Sequence, residues 1–156
     1  MNFKRVVITG IGALTPIGNT YPSFWDGLKA GKSGAAPITK FDASLFKTKF
    51  ACELKGFDPT TFMDRKEARK MDPFIHYGLA AAIQAIEDAG VVVTEANAKR
   101  IGTIIGSGIG GLPGIEKGYQ SFLDGGPRRI SPFFVPSNII NMVSGNLSIK
   151  YGFKGP

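Results

Sequence analysis

The sequence predicts an α/β fold in which helices pack against a sheet. Short apolar, β-branched runs that suit strands alternate with longer segments whose apolar residues recur at helical spacing. The 156 residues are enough for one domain with a core, and 43% hydrophobic with 20% charged residues is typical of soluble globular proteins. Only two central strands are evident, too few to make a sheet, so the chain is expected to be a piece of something larger.

The first half of the chain carries a strand, a capped helix and a second strand-like segment. Residues 4–9 are predicted to form a buried strand. Thr20 is placed to cap a helix that has Pro22 in its first turn and Gly31 just past its end. The alternation in residues 49–57 indicates an edge strand or a hairpin arm.

The second half is predicted to be mainly helical. Asp64 is placed to cap a short basic helix. The strongest helix in the chain begins at Pro73, and Asp72 is placed to cap it. The apolar stripe of that helix consists of Leu79, Ala82, Ile83 and Ile86. A predicted strand at 101–105 precedes a glycine- and proline-rich stretch, and Ser137 is placed to cap a last helix that Gly152 ends.

Composition disfavours several classes of protein. No apolar run is long enough to cross a bilayer, and the early strand leaves no room for a signal peptide, so a cytoplasmic protein is expected. Cys52 and His76 are the single cysteine and histidine, which argues against a disulfide and a metal site. Cys52 is expected to be a buried structural thiol. A triad of Ser107, His76 and an acid stays open, although the sequence around the serine lacks a nucleophile elbow.

The glycine-rich segment TIIGSGIGG, residues 103–111, raises nucleotide binding as an alternative. Gly106, Gly108 and Gly111 fit G-x-G-x-x-G, and Asp124 follows at about the distance of a ribose-binding acid. A dinucleotide site needs that acid at the end of a second strand, whereas Asp124 runs directly into GGPRRISP. We therefore favour glycines that let a loop pack tightly against a neighbour, and we expect no cofactor.

The charge pattern indicates an acidic partner, because the net charge is +7. A basic cluster at i, i+3, i+4 spacing, on one side of a helix with Glu67 pointing elsewhere, consists of Lys66, Arg69 and Lys70. A second pair in a loop consists of Arg128 and Arg129. No nucleic-acid motif is evident, so an acidic protein has at least equal weight with nucleic acid or anionic lipid. A solvated charged face is the alternative.

Two phenylalanines lie in an irregular aromatic and proline-rich segment. Phe133 and Phe134 belong to SPFFVPS, residues 131–137. Large apolar side chains outside regular elements usually line a pocket or an interface. Packing of the core beneath a loop is the alternative.

Five segments together resemble the N-terminal part of a known family: RVVITGIGALTPIGN, DRKEARKMD, IGSGIGG, GGPRRISPFFVPS and NMVSG. The family is bacterial 3-oxoacyl-[acyl-carrier-protein] synthase II, the elongating condensing enzyme of fatty acid synthesis. The resemblance spans essentially all 156 residues. It implies a thiolase-like layered fold, a mixed sheet with helices on both faces. Residues 1–156 are then the first part of a beta-ketoacyl synthase N-terminal domain, ending just before the strand of the nucleophile, with no second domain.

The resemblance also implies roles for individual residues. Ile109 matches a gate of the acyl pocket, and Phe134 matches a residue that closes the pocket from the dimer partner. The residues that match or extend the docking patch for acyl carrier protein are Lys66, Arg69, Lys70, Arg128 and Arg129. The glycine loop is implied to approach the acyl chain rather than a pyrophosphate.

The catalytic groups that the resemblance implies lie outside these residues. The nucleophilic cysteine follows shortly after the position that matches Pro156, and two histidines and a lysine lie further on. Neither Cys52 nor His76 matches any of them. The expected function is therefore carrier docking and part of an acyl pocket within a homodimeric condensing enzyme, without nucleic-acid binding or membrane insertion. The alternative is a non-catalytic carrier-binding module or an inactive fragment.

Overall fold

The computed structural model describes residues 3–156. The chain forms two compact units. The first unit contains the described residues up to Asp58 together with Ile83–Gly90, and the second contains Pro59–Ala82 and Val91–Pro156. Within the described residues, no helix combines the length and the apolar character needed to cross a membrane.

The first helix forms as the sequence predicts. Helix α1 spans Tyr21–Lys29, and Thr20 caps it by accepting a hydrogen bond from the backbone amide of Ser23. The Ser23 hydroxyl oxygen in turn accepts from the Thr20 amide at 3.1 Å, which completes a capping box. Pro22 lies in the first turn, and Gly31 follows the helix with φ +64°.

The predicted hairpin arm is confirmed over two residues. Strand β1, Ala36–Pro37, pairs antiparallel with β2, Phe50–Ala51. Beyond this pair, the Glu53 carboxylate accepts from the Thr39 hydroxyl at 2.6 Å. That hydrogen bond, with weaker help from the amides of Thr39 and Lys40, holds the pKa of Glu53 below its usual value.

The predicted strand at residues 4–9 is wrong for this structure. Val6 is 91% exposed and Ile8 is 84% exposed, and no described segment pairs with them. The backbone hydrogen bonds of a strand need a neighbouring strand, so the apolar run alone does not form one. Shortly after this segment, the backbone amide of Ile11 donates a hydrogen bond to the Asp88 carboxylate at 2.9 Å, which fixes the chain against the end of the helix that contains Asp88.

Five helices follow. Their bounds are α2 Arg65–Ala68, α3 Pro73–Asp88, α4 Leu112–Gly125, α5 Phe134–Asn138 and α6 Met142–Tyr151. Three single 3₁₀ turns accompany them at Pro59–Thr61, Ala98–Arg100 and Pro127–Arg129. Asp64 caps α2 as predicted, because its carboxylate accepts from the Lys66 amide at 2.7 Å.

Helix α3 supplies much of the core of the second unit. Ile75, Leu79 and Ala80 are buried, as is Val143 of α6. At Gly78 a Cβ atom would lie 2.4 Å from a methyl carbon of Val143, so the glycine allows α3 and α6 to approach closely. The predicted apolar stripe of α3 is confirmed at its buried members Leu79 and Ile83.

The last helix starts later than predicted. Ser137 lies inside α5, where its hydroxyl donates to the Phe134 carbonyl, and it does not cap α6. The backbone is extended at Ile139, with φ −77° and ψ 141°, which separates the two helices. Gly152 ends α6 with φ +73°, as predicted.

Residues 101–105 also do not form a strand. Ile104 is 99% exposed, and within the described residues the backbone of this segment is hydrogen-bonded only through Ile101. The Thr103 hydroxyl is a side-chain contact to α6, 3.0 Å from the Ser148 hydroxyl. The Gly155 amide donates to the Ile101 carbonyl at 3.0 Å, and the Lys154 amide donates to the Ala98 carbonyl at 2.9 Å. The segment after α6 therefore returns beside residue 101.

Candidate functional site

One buried carboxylate joins the starts of two helices in the second unit. Asp72 precedes α3, and its Oδ1 accepts from the Phe74 amide at 3.2 Å. Its Oδ2 accepts from the amide of Gly114, in the first turn of α4, at 3.0 Å. The Asp72 amide donates to the Ser137 carbonyl at 3.3 Å, which adds α5 to the same junction. The sequence correctly predicts the cap on α3, but not the link to α4.

The glycines before α4 are explained by close packing. The Gly111 amide donates to the Asn138 carbonyl at 3.0 Å. A Cβ atom added at Gly110 would lie 2.4 Å from that carbonyl oxygen. A Cβ atom added at Gly111 would lie 2.3 Å from the side-chain oxygen of Asn138. Tight packing is thus confirmed for these two positions, whereas a Cβ at Gly106 or Gly108 would meet nothing within 4 Å.

The same geometry argues against a phosphate at the start of α4. The amides of Gly111, Leu112 and Gly114 already donate to protein oxygens, and Pro113 has no amide hydrogen. Asp124 lies in the last turns of α4 and accepts from Gln120 at 2.7 Å instead of ending a strand. The structure gives the nucleotide-binding alternative no support.

A groove of about 470 Å³ lies along one face of α4. Four of the α4 residues that line it have i, i+3, i+4, i+7 spacing, Gly114, Lys117, Gly118 and Ser121, and Pro113 in the first turn of α4 lines it as well. Other segments that line it are residues 69–73 and parts of residues 129–138. The volume is within the range of ligand-binding clefts. We call this feature the basic groove, because its cationic lining residues are Arg69, Lys70, Lys117 and Arg129.

Three of the four cations in the basic groove are uncompensated. Lys70 pairs with Glu67 at 2.7 Å and lies 5.6 Å from the centroid of the Phe133 ring. The expectation that Glu67 points elsewhere is therefore wrong, because the two residues are only three apart and the turn after α2 brings them together. The side chains of the remaining cations form no ion pair or hydrogen bond within residues 3–156; they are Arg69, Lys117 and Arg129.

Some of the predicted site residues converge on the basic groove and others do not. Those that line it are Arg69, Lys70, Arg129 and Phe134. Lys66 and Arg128 are exposed but absent from its lining, and Ile109 is 69% exposed. Lys117 lines the groove but was not expected from the sequence, because no basic residue lies near it in the chain. The roles of all these residues stay predictions.

A smaller, apolar cavity of about 240 Å³ lies against α4. It is lined by Ile115, Gly118, Tyr119, Phe122, Ile130 and Phe134. Phe134 is half-buried and lines both this cavity and the basic groove. A Cβ atom at Gly118 would lie 2.3 Å from the Phe134 ring, so this glycine allows the ring to rest on the backbone of α4. One aromatic side chain thus connects a cationic surface with an apolar one.

The remaining candidates for chemistry are poorly placed. Cys52 is exposed, contrary to the expected buried thiol, because β2 pairs only with the short β1 and nothing covers this position. The His76 Nε2 atom lies 2.8 Å from the Ala68 carbonyl oxygen, and no hydrogen bond joins His76 to Ser107 in the described chain. No group of three or more potential metal ligands occurs within residues 3–156.

Comparison with known proteins places these features in a family. The beta-ketoacyl synthase, N-terminal domain, matches residues 3–156. The 3-oxoacyl-[acyl-carrier-protein] synthase 2 of Vibrio cholerae is 57% identical over 156 residues, which is 100% of this chain and 38% of that protein. The protein of the same name from Vibrio harveyi is 56% identical, with the same coverage. The chain thus spans about 38% of the length of these relatives.

A solved structure agrees with this relationship. A beta-ketoacyl synthase from Burkholderia phymatum superimposes with a TM-score of 0.80 at 27% identity, covering 99% of this chain and 38% of that one. The predicted thiolase-like fold is therefore confirmed, although few strands are paired within this chain. On the match of residues 3–156, the chain belongs to the beta-ketoacyl synthase family.

Proposed function

We propose that the chain is the N-terminal part of a 3-oxoacyl-[acyl-carrier-protein] synthase 2. That enzyme elongates an acyl group on acyl carrier protein by decarboxylative Claisen condensation with malonyl carrier protein, in cytoplasmic fatty acid biosynthesis. Support comes from relatives of that name that match the entire chain. The observation that carries the proposal is the basic groove, whose lining includes three uncompensated cations and Phe134.

In this proposal the chain docks the carrier and forms part of the acyl pocket. A strongly acidic carrier protein is attracted by the cations of the basic groove, which raises the association rate and sets the orientation of the complex. Phe134 and Ile109 line the acyl pocket, with Phe134 serving the partner subunit of a homodimer. No cofactor is required.

The chemical step needs groups that residues 1–156 do not provide. In the proposed reaction, a cysteine thiolate takes the acyl group and the carrier thiol is released. Malonyl carrier protein then loses CO₂, and its carbanion attacks the acyl thioester, forming a carbon–carbon bond and expelling the cysteine thiolate. Cys52 is exposed, and His76 is hydrogen-bonded to the backbone carbonyl of Ala68. Neither is therefore placed to act as the nucleophile or to assist decarboxylation. We expect no condensing activity from residues 1–156 alone, and product formed from malonyl and acyl carrier protein would contradict this.

Binding of purified acyl carrier protein to the natural gene product tests the docking role. We expect Arg69→Glu and Arg129→Glu each to raise the Kd about tenfold at low salt, because each removes an attraction and adds a repulsion. Lys99→Glu is the matched control, since Lys99 is exposed and absent from the groove lining. Unchanged affinity in both arginine variants would contradict the proposal.

A non-catalytic carrier-binding module is the second candidate. It is favoured by one observation, that a groove with three uncompensated cations forms from residues of a chain that spans 38% of its relatives. The intact mass of the natural gene product separates the two candidates. A mass near 16.7 kDa supports the binding module, and a much larger mass supports the condensing enzyme.

A further inference from the structure

Helix α4 brings to the basic groove a cation that lies far from the other basic residues in sequence. Lys117 is exposed, and its side chain forms no ion pair or hydrogen bond within residues 3–156. It lies one turn after Gly114, whose amide is bound by Asp72. That hydrogen bond fixes the first turn of α4 against residues 69–73, and Lys117 lines the same groove as Arg69.

Arg129 completes the arrangement from a third segment. A Cβ atom at Gly125 would lie 2.6 Å from Cγ and 3.0 Å from Nε of Arg129, so this side chain lies against the end of α4. The three uncompensated cations therefore come from the turn after α2, from α4, and from the 3₁₀ turn that follows α4. The only carboxylate in the lining, that of Asp72, already accepts two backbone hydrogen bonds.

Apolar side chains lie between these cations. The apolar residues of the groove lining are Met71, Pro73, Pro113, Phe133 and Phe134. A free phosphate ion would leave these surfaces uncovered, whereas an acidic protein segment offers carboxylates and apolar side chains together. The groove therefore fits a protein segment better than it fits a small inorganic anion.

We infer that Lys117 is a further docking residue, which binds a carboxylate on an acidic segment of the carrier protein seated in the basic groove. This inference rests on the proposed function, since it names an additional contact at the same surface. Lys117 extends recognition from the turn after α2 onto α4, so an acidic partner is held by residues of both segments. An exposed cation of this kind acts chiefly on the association rate, and its effect is reduced by salt.

The test measures association of purified acyl carrier protein with the natural gene product at low and high salt. Four variants are compared with the unmodified protein: Lys117→Glu, Lys117→Gln, Arg69→Glu and Lys99→Glu. We expect Lys117→Glu to slow association about three- to tenfold at low salt, Lys117→Gln to have a smaller effect, and Lys99→Glu to change little. The melting temperature of each variant verifies that it is folded. If Lys117→Glu does not fold, Lys117→Gln still tests the role of Lys117.

The outcomes separate the inference from the proposed function. Slower association in Lys117→Glu and Arg69→Glu, but not in Lys99→Glu, supports both. A loss in Arg69→Glu alone overturns the role of Lys117 and leaves carrier docking intact. If Lys117→Glu and Lys99→Glu slow association equally, the effect comes from the net charge of the protein and not from a contact made by Lys117, and the inference is overturned. If neither Arg69→Glu nor Lys117→Glu has an effect, the proposed docking function fails as well.

Discussion

Helix α3 and the segment 4–9 are both rich in apolar residues, but only the helix buries them. Ile75 and Leu79 of α3 are buried in the core of the second unit, whereas Val6 and Ile8 are almost fully exposed in the first. The two regions differ in where their backbone hydrogen bonds are formed. A helix satisfies its amides within its own turns, and a strand depends on a neighbour.

This difference shows which parts of the fold are encoded locally. Helices α1 and α3 form with caps and glycine ends that lie within a few residues of them. The short pair β1–β2 forms because both of its strands lie in the chain. Residues 4–9 and 101–105 have strand-like sequences, but the structure provides no pairing strand for them.

The largest effect is expected from emptying the core beneath α3. Leu79→Ala removes a buried side chain and should lower the free energy of unfolding by about 2–5 kcal/mol. Ile104→Ala is the control, and in the 156-residue chain it should change that free energy by less than about 0.5 kcal/mol. Urea denaturation measures both. A similar loss for Ile104→Ala in the natural gene product would show that another segment or molecule covers residues 101–105.

A glycine substitution sharpens the same comparison at a smaller scale. In Gly118→Ala the new methyl group collides with the Phe134 ring, so we expect a loss of about 1–3 kcal/mol, or a displaced ring. Gly106→Ala, in the unpaired stretch, meets nothing within 4 Å and should be nearly neutral. Melting temperatures give the loss, and a crystal structure of the variant gives the position of the ring. An unchanged Phe134 with unchanged stability would contradict this packing.

The junction at Asp72 should show an intermediate effect. Asp72→Asn keeps one acceptor for the two amides of Phe74 and Gly114, and should destabilise the protein by about 1–2 kcal/mol. Asp124→Asn is the control, since Asp124 is exposed and hydrogen-bonded only to Gln120. Hydrogen exchange should show faster exchange of the Gly114 amide in Asp72→Asn. No change there would mean that the carboxylate does not hold α4.

The smallest effect concerns Glu53, which follows the paired strand β2. The Thr39 hydroxyl lowers the pKa of Glu53, so this contact stabilises the fold above the unfolded-state pKa and is lost as the pH falls through the folded-state pKa. Thr39→Val should raise the pKa of Glu53 toward its ordinary value, because the largest cause of the lowering is removed. An NMR titration of the side-chain carboxyl signals measures this. Asp42 serves as the internal control, since hydrogen bonds from Ser44 lower its pKa. A change in the pKa of Asp42 but not in that of Glu53 would contradict the assignment of the Thr39 hydroxyl as the cause of the lowered pKa of Glu53.

The candidate site was predictable where its residues carry a local signal. The spacing of Arg69 and Lys70 and the pair at 128–129 predicted a basic surface, and Asp72 was expected to cap α3. The position of Lys117 in the groove lining was not predictable, because it depends on the packing of α4 against Asp72, which is hydrogen-bonded to Gly114 over 42 residues of sequence. The pairing of Lys70 with Glu67 was not predicted either. Helical spacing alone does not determine which rotamer the Glu67 side chain adopts, and so does not determine whether it reaches Lys70.

The first unit holds both the single tryptophan and the single cysteine of the chain, Trp25 and Cys52. Emission from Trp25, or from a dye attached to the exposed Cys52, therefore reports on that unit alone. Helical circular dichroism is weighted toward the second unit, which contains α2 and α4–α6. If the fluorescence signal changes at a lower denaturant concentration or temperature than the circular dichroism signal, the two units unfold separately. Coincident curves would show a single cooperative transition.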